Sequence, residues 1–392
     1  MTGSRTYDVA FYLPSLGPLI EPHAAIPFAG GAETQIWLLA RGLAAKGYAV
    51  CVIVRDTPDG LPSKVAGVDI VIRPPWQGGR GLPGHLAEVR ALWRTLSPLR
   101  SRIVVQRAAG FGTGLVGAIT RARGRTFVYS SANIADFAYE RLASSRKDLR
   151  LFHLGVALAR LIVVQTNEQA TQCQVKFGRS AIVIGSIAET AAAQTSRPDV
   201  FLWIGRLVDY KRPRAFLELA RALPEARFRM VGLGSGQDAR LEQQVVREAR
   251  EIPNLELLAT RPRPQLLPLY ESAVAVVNTA DWEGMPNIFL EGWARGVPAL
   301  ALAHDPDGVI TSQGLGAFAA GSPQRLAALA RELWSFRDDR AALARRCRDY
   351  VLREHGAESV VDQWISALGL AGTQIAPTSG RQTIEASAYA QP

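Results

Sequence analysis

The sequence predicts an α/β protein built of two doubly wound parallel-sheet domains, and three observations lead there. Short β-rich runs alternate with helical patterns along the 392 residues. The runs are apolar along their whole length, as strands covered by helices on both faces are. The alternation pauses at a polar stretch near residue 190 and then restarts, and 48% apolar content suits two domains of ~100–200 residues each.

Taken in order, the first-half strands are YDVAFYL (7–13), YAVCVIV (48–54), VDIVI (68–72), RIVVQ (102–106), TFVYS (126–130), LIVVQT (161–166) and AIVIG (181–185). Between the first two lies ETQIWLLARGLAAKG, which spaces Ile36, Leu39 and Leu43 by three and four and has Gly47 as its stop. The stretch IAETAAAQTSRPD (187–199) is small, polar and aperiodic, and reads as a linker. After it come VFLWIG (200–205), RFRMVG (227–232), LELLAT (255–260), VAVVNT (274–279) and VPALAL (297–302), each followed by a helical segment. Two helical patterns, 323–336 and 338–369, precede residues 371–392, whose composition fits a disordered tail.

The first residues lack a basic region followed by an apolar signal core, and no apolar stretch approaches the ~18–20 residues of a membrane span. A cytoplasmic chain is expected. Cys51, Cys173 and Cys347 are far apart and form no CxxC or Cys/His cluster, so neither a disulfide framework nor a metal site is expected. The net charge of +10 is lopsided: residues 1–190 hold 22 Lys and Arg against 12 Asp and Glu, and the remainder holds 23 of each. Such a half meets nucleic acid, anionic lipid or an acidic small substrate. Lacking aromatic-interleaved basic strands or a reading module, the chain is not expected to bind nucleic acid.

In parallel α/β sheets ligands bind beyond the carboxyl ends of strands, where helix N-termini attract anions. DWEGMPNIFLEGWARGVP (281–298) is such a turn, with a helix starting at Pro286 and stopping at Gly296. It holds Glu283 before the helix and Glu291 within it. A carboxylate accepts from vicinal hydroxyls, which suits a sugar or ribose, while the backbone between suits phosphate; a capping glutamate and a solvated one are the plain alternative. WIGRLVDYKRP (203–213) puts Arg206 and Lys211 after another strand, placed to neutralise a diphosphate. GGAE (30–33) allows close backbone approach through Gly30 and Gly31.

On GGAE, GRL…YKRP (205–213), the G-x-G turn at 232–234, Tyr270 and Ala273, and the E-x7-E pair Glu283 and Glu291 followed by Gly296 and Pro298, the chain resembles the retaining glycosyltransferases of family 4. The resemblance runs from residue 7 to about 370. It implies the GT-B fold, two Rossmann-like domains facing a central cleft: residues 1–190 on the acceptor side, 191–355 holding the donor, and a helix at 356–370 crossing back to the first domain. It implies a nucleotide-sugar donor, UDP- or GDP-linked, and a glycan or glycolipid acceptor, with no cofactor or metal. Arg206 and Lys211 would then bind the diphosphate and Glu291 the ribose. Glu283 would contact the transferred sugar, Gly284, Met285, Pro286 and Asn287 would present backbone, and Gly30 and Gly31 would close from the first domain.

Where relatives carry a first-domain histidine, this chain reads SSANIAD (130–136), making Ser131 and Asn133 the candidate acceptor or sugar contacts. A catalytically silent sugar-nucleotide-binding scaffold is the alternative that this departure raises. His153 fits an apolar helical face as a core residue, and His304 a loop at the site's edge. Residues 82–102 place Leu86, Val89, Trp93 and Leu96 on one helical face, with Arg90, Arg94, Arg100 and Arg102 free for solvent. That pattern suits either an ordinary helix on the sheet or an anionic membrane surface at the cytoplasmic face.

Overall fold

The computed structural model describes residues 5–21, 30–58, 60–74, 82–141, 143, 145–194, 196–234 and 238–371. The strands of the first domain are β1 (Tyr7–Tyr12), β2 (Val50–Arg55), β3 (Lys64–Val65), β4 (Val68–Arg73), β5 (Ser101–Arg107), β6 (Thr126–Ser130), β7 (Leu161–Val164) and β8 (Ile182–Val183). Those of the second are β9 (Val200–Arg206), β10 (Phe228–Leu233), β11 (Leu255–Leu258), β12 (Ala273–Asn278), β13 (Ala299–Ala301) and β14 (Gly316–Phe318). Every strand predicted from an apolar run is present. The structure adds two short strands, β3 and β14.

The first sheet is ordered β3-β4-β2-β1-β5-β6-β7-β8 and is parallel except for β3, which pairs antiparallel with β4. The second is ordered β11-β10-β9-β12-β13-β14 and is parallel throughout. In each, the order reverses beside the first strand, between β1 and β5 and between β9 and β12. Connections leave such a pair toward opposite faces, so a crevice opens at the carboxyl ends.

Alternate residues of each strand feed opposite cores, as the pleat requires. In β1, Val9 and Phe11 face the core that holds Ile36, Leu39 and Leu43, while Ala10 and Tyr12 face the other side. In β9, Phe201 and Trp203 pack with Phe216 and Phe228, while Leu202 and Ile204 pack with Phe289 and Trp293.

The pattern at 338–369 is split by Gly356 into two helices, Ala341–His355 and Ala357–Ala367. Gly356 is extended (φ −57°, ψ 133°) and pairs with Ala188 of the linker, so the chain passes between the domains twice, side by side. The last helix buries Val360, Val361 and Trp364 in the first-domain core, joined by Leu370. Gly42 makes room for it, since a Cβ there would lie 2.5 Å from Val361. Of the tail expected at 371–392, residues 372–392 lie outside the described residues, among which no helix is long and apolar enough to cross a membrane.

Candidate functional site

The turns after β9 and β12 stand side by side at the crevice of the second sheet and are laced together. The Tyr210 and Trp282 rings stack with centroids 5.5 Å apart. The Asp281 N–H donates to the Tyr210 carbonyl (2.9 Å), the Thr279 hydroxyl to the Lys211 carbonyl (2.6 Å), and the Trp203 indole to Thr279 Oγ1 (3.0 Å). This lacing fixes the cations. Arg206 donates from Nη2 to the Tyr210 hydroxyl at 2.6 Å and has no carboxylate partner among the described residues. Lys211 Nζ is ion-paired with Glu283 Oε1.

Glu283 is buried, and gathers donors from both domains. Besides Lys211, Asn278 Nδ2 approaches Oε1 at 3.4 Å and Asn133 Nδ2 approaches Oε2 at 3.5 Å. Glu291 lies in the helix Asn287–Ala294, for which Pro286 is the N-cap. Its Oε1 accepts from Arg263 Nε (3.0 Å) and Nη2 (2.9 Å), and its Oε2 from the Tyr270 hydroxyl (2.6 Å). Burial, and then the Glu291 charge, raises the Tyr270 hydroxyl well above its ordinary pKa, so it stays a donor. Burial opposes the Arg263 charge, but Glu291 and Glu189 prevail and raise its pKa. A carboxylate has ~4 acceptor positions. Glu291 is thus rigidly held and still able to accept from hydroxyls.

The first domain closes over this crevice through side chains. Asn287 Nδ2 donates to the Gly31 carbonyl (3.1 Å), and Gln35 Nε2 donates to Asn287 Oδ1 (3.1 Å). Asn287 therefore offers its side chain as well as backbone. Gln165, just after β7, is a hub: its Oε1 accepts from the Met285 N–H and the Ser186 hydroxyl (both 3.1 Å), and its Nε2 donates to the carbonyls of Ser131 (3.2 Å) and Ala132 (3.0 Å). A Cβ at Gly284 would lie 3.0 Å from Gln165 Oε1 and 3.1 Å from the Ala132 carbonyl. A side chain there would press the two walls apart by a few tenths of an ångström. Further along, the Asp307 carboxylate accepts from the N–H groups of Asn167 (2.7 Å) and Glu168 (3.0 Å), so a second-domain residue caps the first-domain helix Asn167–Phe177.

Thus Arg206, Lys211, Glu283, Asn287 and Glu291 are gathered on the second-domain side, with Gly284, Met285 and Pro286 buried in the turn between them and Gly30 and Gly31 opposite. Asn133 joins them through Glu283. Ser131 does not, which corrects its reading as an acceptor or sugar contact: it is fully buried, and its hydroxyl donates inward to Asp136 Oδ2 (3.0 Å) because that buried carboxylate needs donors. His153 is likewise corrected, being exposed beside Phe177 rather than in the core. His304 is buried with Nε2 at 3.1 Å from the Gly284 carbonyl, on the site's edge. Gln165, Asn278 and Arg263 were not foreseen. For Gln165 and Asn278 a signal exists: a polar residue at the carboxyl end of an otherwise apolar parallel strand.

Residues 30–184 match the Glycosyl transferase 4-like domain family, and residues 198–335 the Glycosyl transferases group 1 family. No protein of curated function matches the sequence. The fold is similar to that of sucrose-phosphate synthase from Thermosynechococcus elongatus (TM-score 0.72, 14% identity, covering 92% of this chain and 98% of that one). It is also similar to Anabaena HepE in complex with UDP and glucose (0.71, 16%, 93% and 100%). A third is WaaG, a glycosyltransferase involved in lipopolysaccharide biosynthesis (0.65, 17%, 93% and 100%). These structures speak for the fold, and the two family matches, one on each domain, speak for the chemistry. Together with a cleft formed at the switch points of two facing doubly wound sheets, they identify the chain as a glycosyltransferase of the GT-B fold, belonging with the 4-like and group 1 glycosyl transferases.

Proposed function

We propose that the chain transfers a sugar from a UDP- or GDP-sugar to a saccharide or lipid-linked glycoconjugate acceptor, with retention of anomeric configuration. The observation that carries this is the second-sheet crevice, where Arg206 lacks a carboxylate partner beside the Lys211–Glu283 pair and Glu291 is held by Arg263 and Tyr270. Arg206 and Lys211 take the diphosphate. Its arrival competes for Lys211 and releases Glu283 to accept from a hydroxyl of the transferred sugar, while Glu291 accepts from the ribose. The backbone of residues 284–287 and that of Gly30 and Gly31 close around the phosphates. As the glycosidic bond breaks, negative charge grows on the leaving diphosphate, so the cations stabilise the transition state more than the ground state. A leaving phosphate oxygen accepts the acceptor's proton, and the scheme needs neither a protein base nor a metal. The UDP and glucose in the HepE structure support this reading.

Thermal unfolding with UDP-, GDP-, ADP- and TDP-sugars tests it. One nucleotide class is expected to stabilise the wild type, by ~2.7 kcal/mol at a hundredfold excess over Kd, and to fail with Glu291→Ala. Equal shifts in both proteins, or none in either, would overturn the donor assignment. An inverted product anomer, read by NMR, would overturn retention.

A membrane-borne acceptor is the second reading, favoured by the helix Leu82–Leu96. Leu96 and Leu92 enter the core, but Leu86, Val89 and Trp93 are 55%, 37% and 47% exposed, and Arg90 and Arg94 are exposed with them. Apolar side chains turned outward among arginines suit the interface of an anionic bilayer. Salt-sensitive sedimentation with anionic but not neutral liposomes is expected, and its absence would remove this reading.

A further inference from the structure

The first sheet has a switch point of its own, and an arginine stands there too. Arg107 ends β5, next to β1, whose following connection leads to Gly30 and Gly31. Its side chain is 7% exposed. Of the five guanidinium N–H groups, one has a partner among the described residues: Nη1 donates to Ser130 Oγ at 3.0 Å. Nε is buried with no hydrogen-bond partner. Two carboxylates influence Arg107 through space, Asp136 and, from the first turn of the helix Gly31–Ala45, Glu33. Neither forms an ion pair with it. Asp136 Oδ2 already accepts from the Tyr129 and Ser131 hydroxyls (both 3.0 Å) and the Ala132 N–H (2.8 Å), while Glu33 Oε1 accepts from the Ser15 hydroxyl (2.5 Å).

A guanidinium taken out of water with one neutral partner is costly to the fold. Burial draws its pKa down to about 10, still leaving it charged at neutral pH. Fork-shaped donors in this state match one ligand chemistry, a planar carboxylate or a phosphoryl group. The second-sheet crevice already holds the groups suited to the donor, and the positive excess of the first 190 residues favours an anion on this side.

We propose that Arg107, held from behind by the buried Ser130 hydroxyl, forms an acceptor subsite that receives an anionic group, carboxylate or phosphoryl, carried by the molecule to which the sugar is transferred. The proposal rests on the glycosyltransferase reading and adds the class of acceptor to it.

The test is thermal unfolding of wild type, Arg107→Met and Arg107→Lys with UDP and GDP, and then, in the presence of the stabilising nucleotide, with glucuronate, glucose 6-phosphate or glucose. The wild type is expected to respond to glucuronate or to glucose 6-phosphate, which separates the two sources of charge, and not to glucose. Arg107→Met is expected to weaken that response on the order of 30-fold or more while keeping the nucleotide response. Should Arg107→Met not fold, Arg107→Lys decides, since it keeps the charge, loses the fork and is expected to weaken the response partially. The proposal is overturned if neither anionic sugar stabilises the wild type, if glucose does so equally, or if the variants respond as the wild type does. It is also overturned if Arg107→Met loses the nucleotide response, which would make Arg107 a donor residue. A wild type that answers to neither nucleotide, yet to an anionic sugar through Arg107, would sink the donor reading and leave the anion subsite standing.

Discussion

At the end of β9, Arg206 shares its guanidinium with a tyrosine hydroxyl, beside the Lys211–Glu283 ion pair. At the end of β5, Arg107 is sunk below the surface, and its one hydrogen-bond partner among the described residues is a serine. Both sit at the reversal of a doubly wound sheet, so topology explains where they are but not how they differ. The difference lies in solvent. A partly exposed cation can exchange one partner for another at modest cost, as a site that must release a charged product requires. A buried one exchanges nothing and presents a fixed charge to whatever enters.

Arg206→Ala gives the largest expected effect and tests the division most directly. It removes charge stabilisation of the leaving group, with kcat falling by ~100–1000-fold, whereas Arg107→Met is expected to leave nucleotide binding intact. If both variants lose nucleotide binding alike in the unfolding assay, the crevices form one site and the division fails.

Gln165→Ala sharpens the comparison by loosening the seam between the crevices. It strands the Met285 N–H and two first-domain carbonyls, at ~1–3 kcal/mol for buried groups left unpaired. The melting temperature is expected to fall and KM for the donor to rise, because Met285 belongs to the turn that carries Glu283. Gln165→Glu keeps an acceptor for Met285 but loses the amide donor, so partial rescue of KM is expected. A melting-temperature loss with KM unchanged would make Gln165 a packing residue alone.

The smallest effect concerns the hinge. His355 is buried against the linker, its Nδ1 donating to the Ser186 carbonyl (2.8 Å) and its Nε2 lying 3.4 Å from the Tyr350 hydroxyl. Burial lowers its pKa below 6.5, so the unfolded chain takes up this proton first. Stability is expected to be undiminished above pH 6.5 and to fall as pH drops from there toward the folded value. His355→Gln should flatten that slope, and identical pH profiles of melting temperature would contradict the assignment.

The strands were legible because a parallel strand covered on both faces must be apolar throughout, and a run such as VAVVNT leaves little other choice. The break at Gly356 was not, because the residues on either side continue a helical pattern and the interruption comes from pairing with Ala188, far away in the chain. Arg206, Lys211, Glu283 and Glu291 could be picked out from their place on strand-to-helix turns. The inward aim of Ser131 depends on a buried Asp136, and the role of Gln165 depends on Met285, 120 residues further on. Local spacing says nothing about partners that only the closed pair of domains brings together.

The double passage at Ala188 and Gly356 makes the hinge a two-stranded strap rather than a tether. A single strand lets one body swivel in any direction, while two parallel strands favour bending about the line that joins them. The strap also keeps the halves together when one strand is cut. With the helix Ala357–Ala367 seated in the first-domain core, a chain nicked by protease between residues 190 and 198 is expected to elute from gel filtration as a single particle.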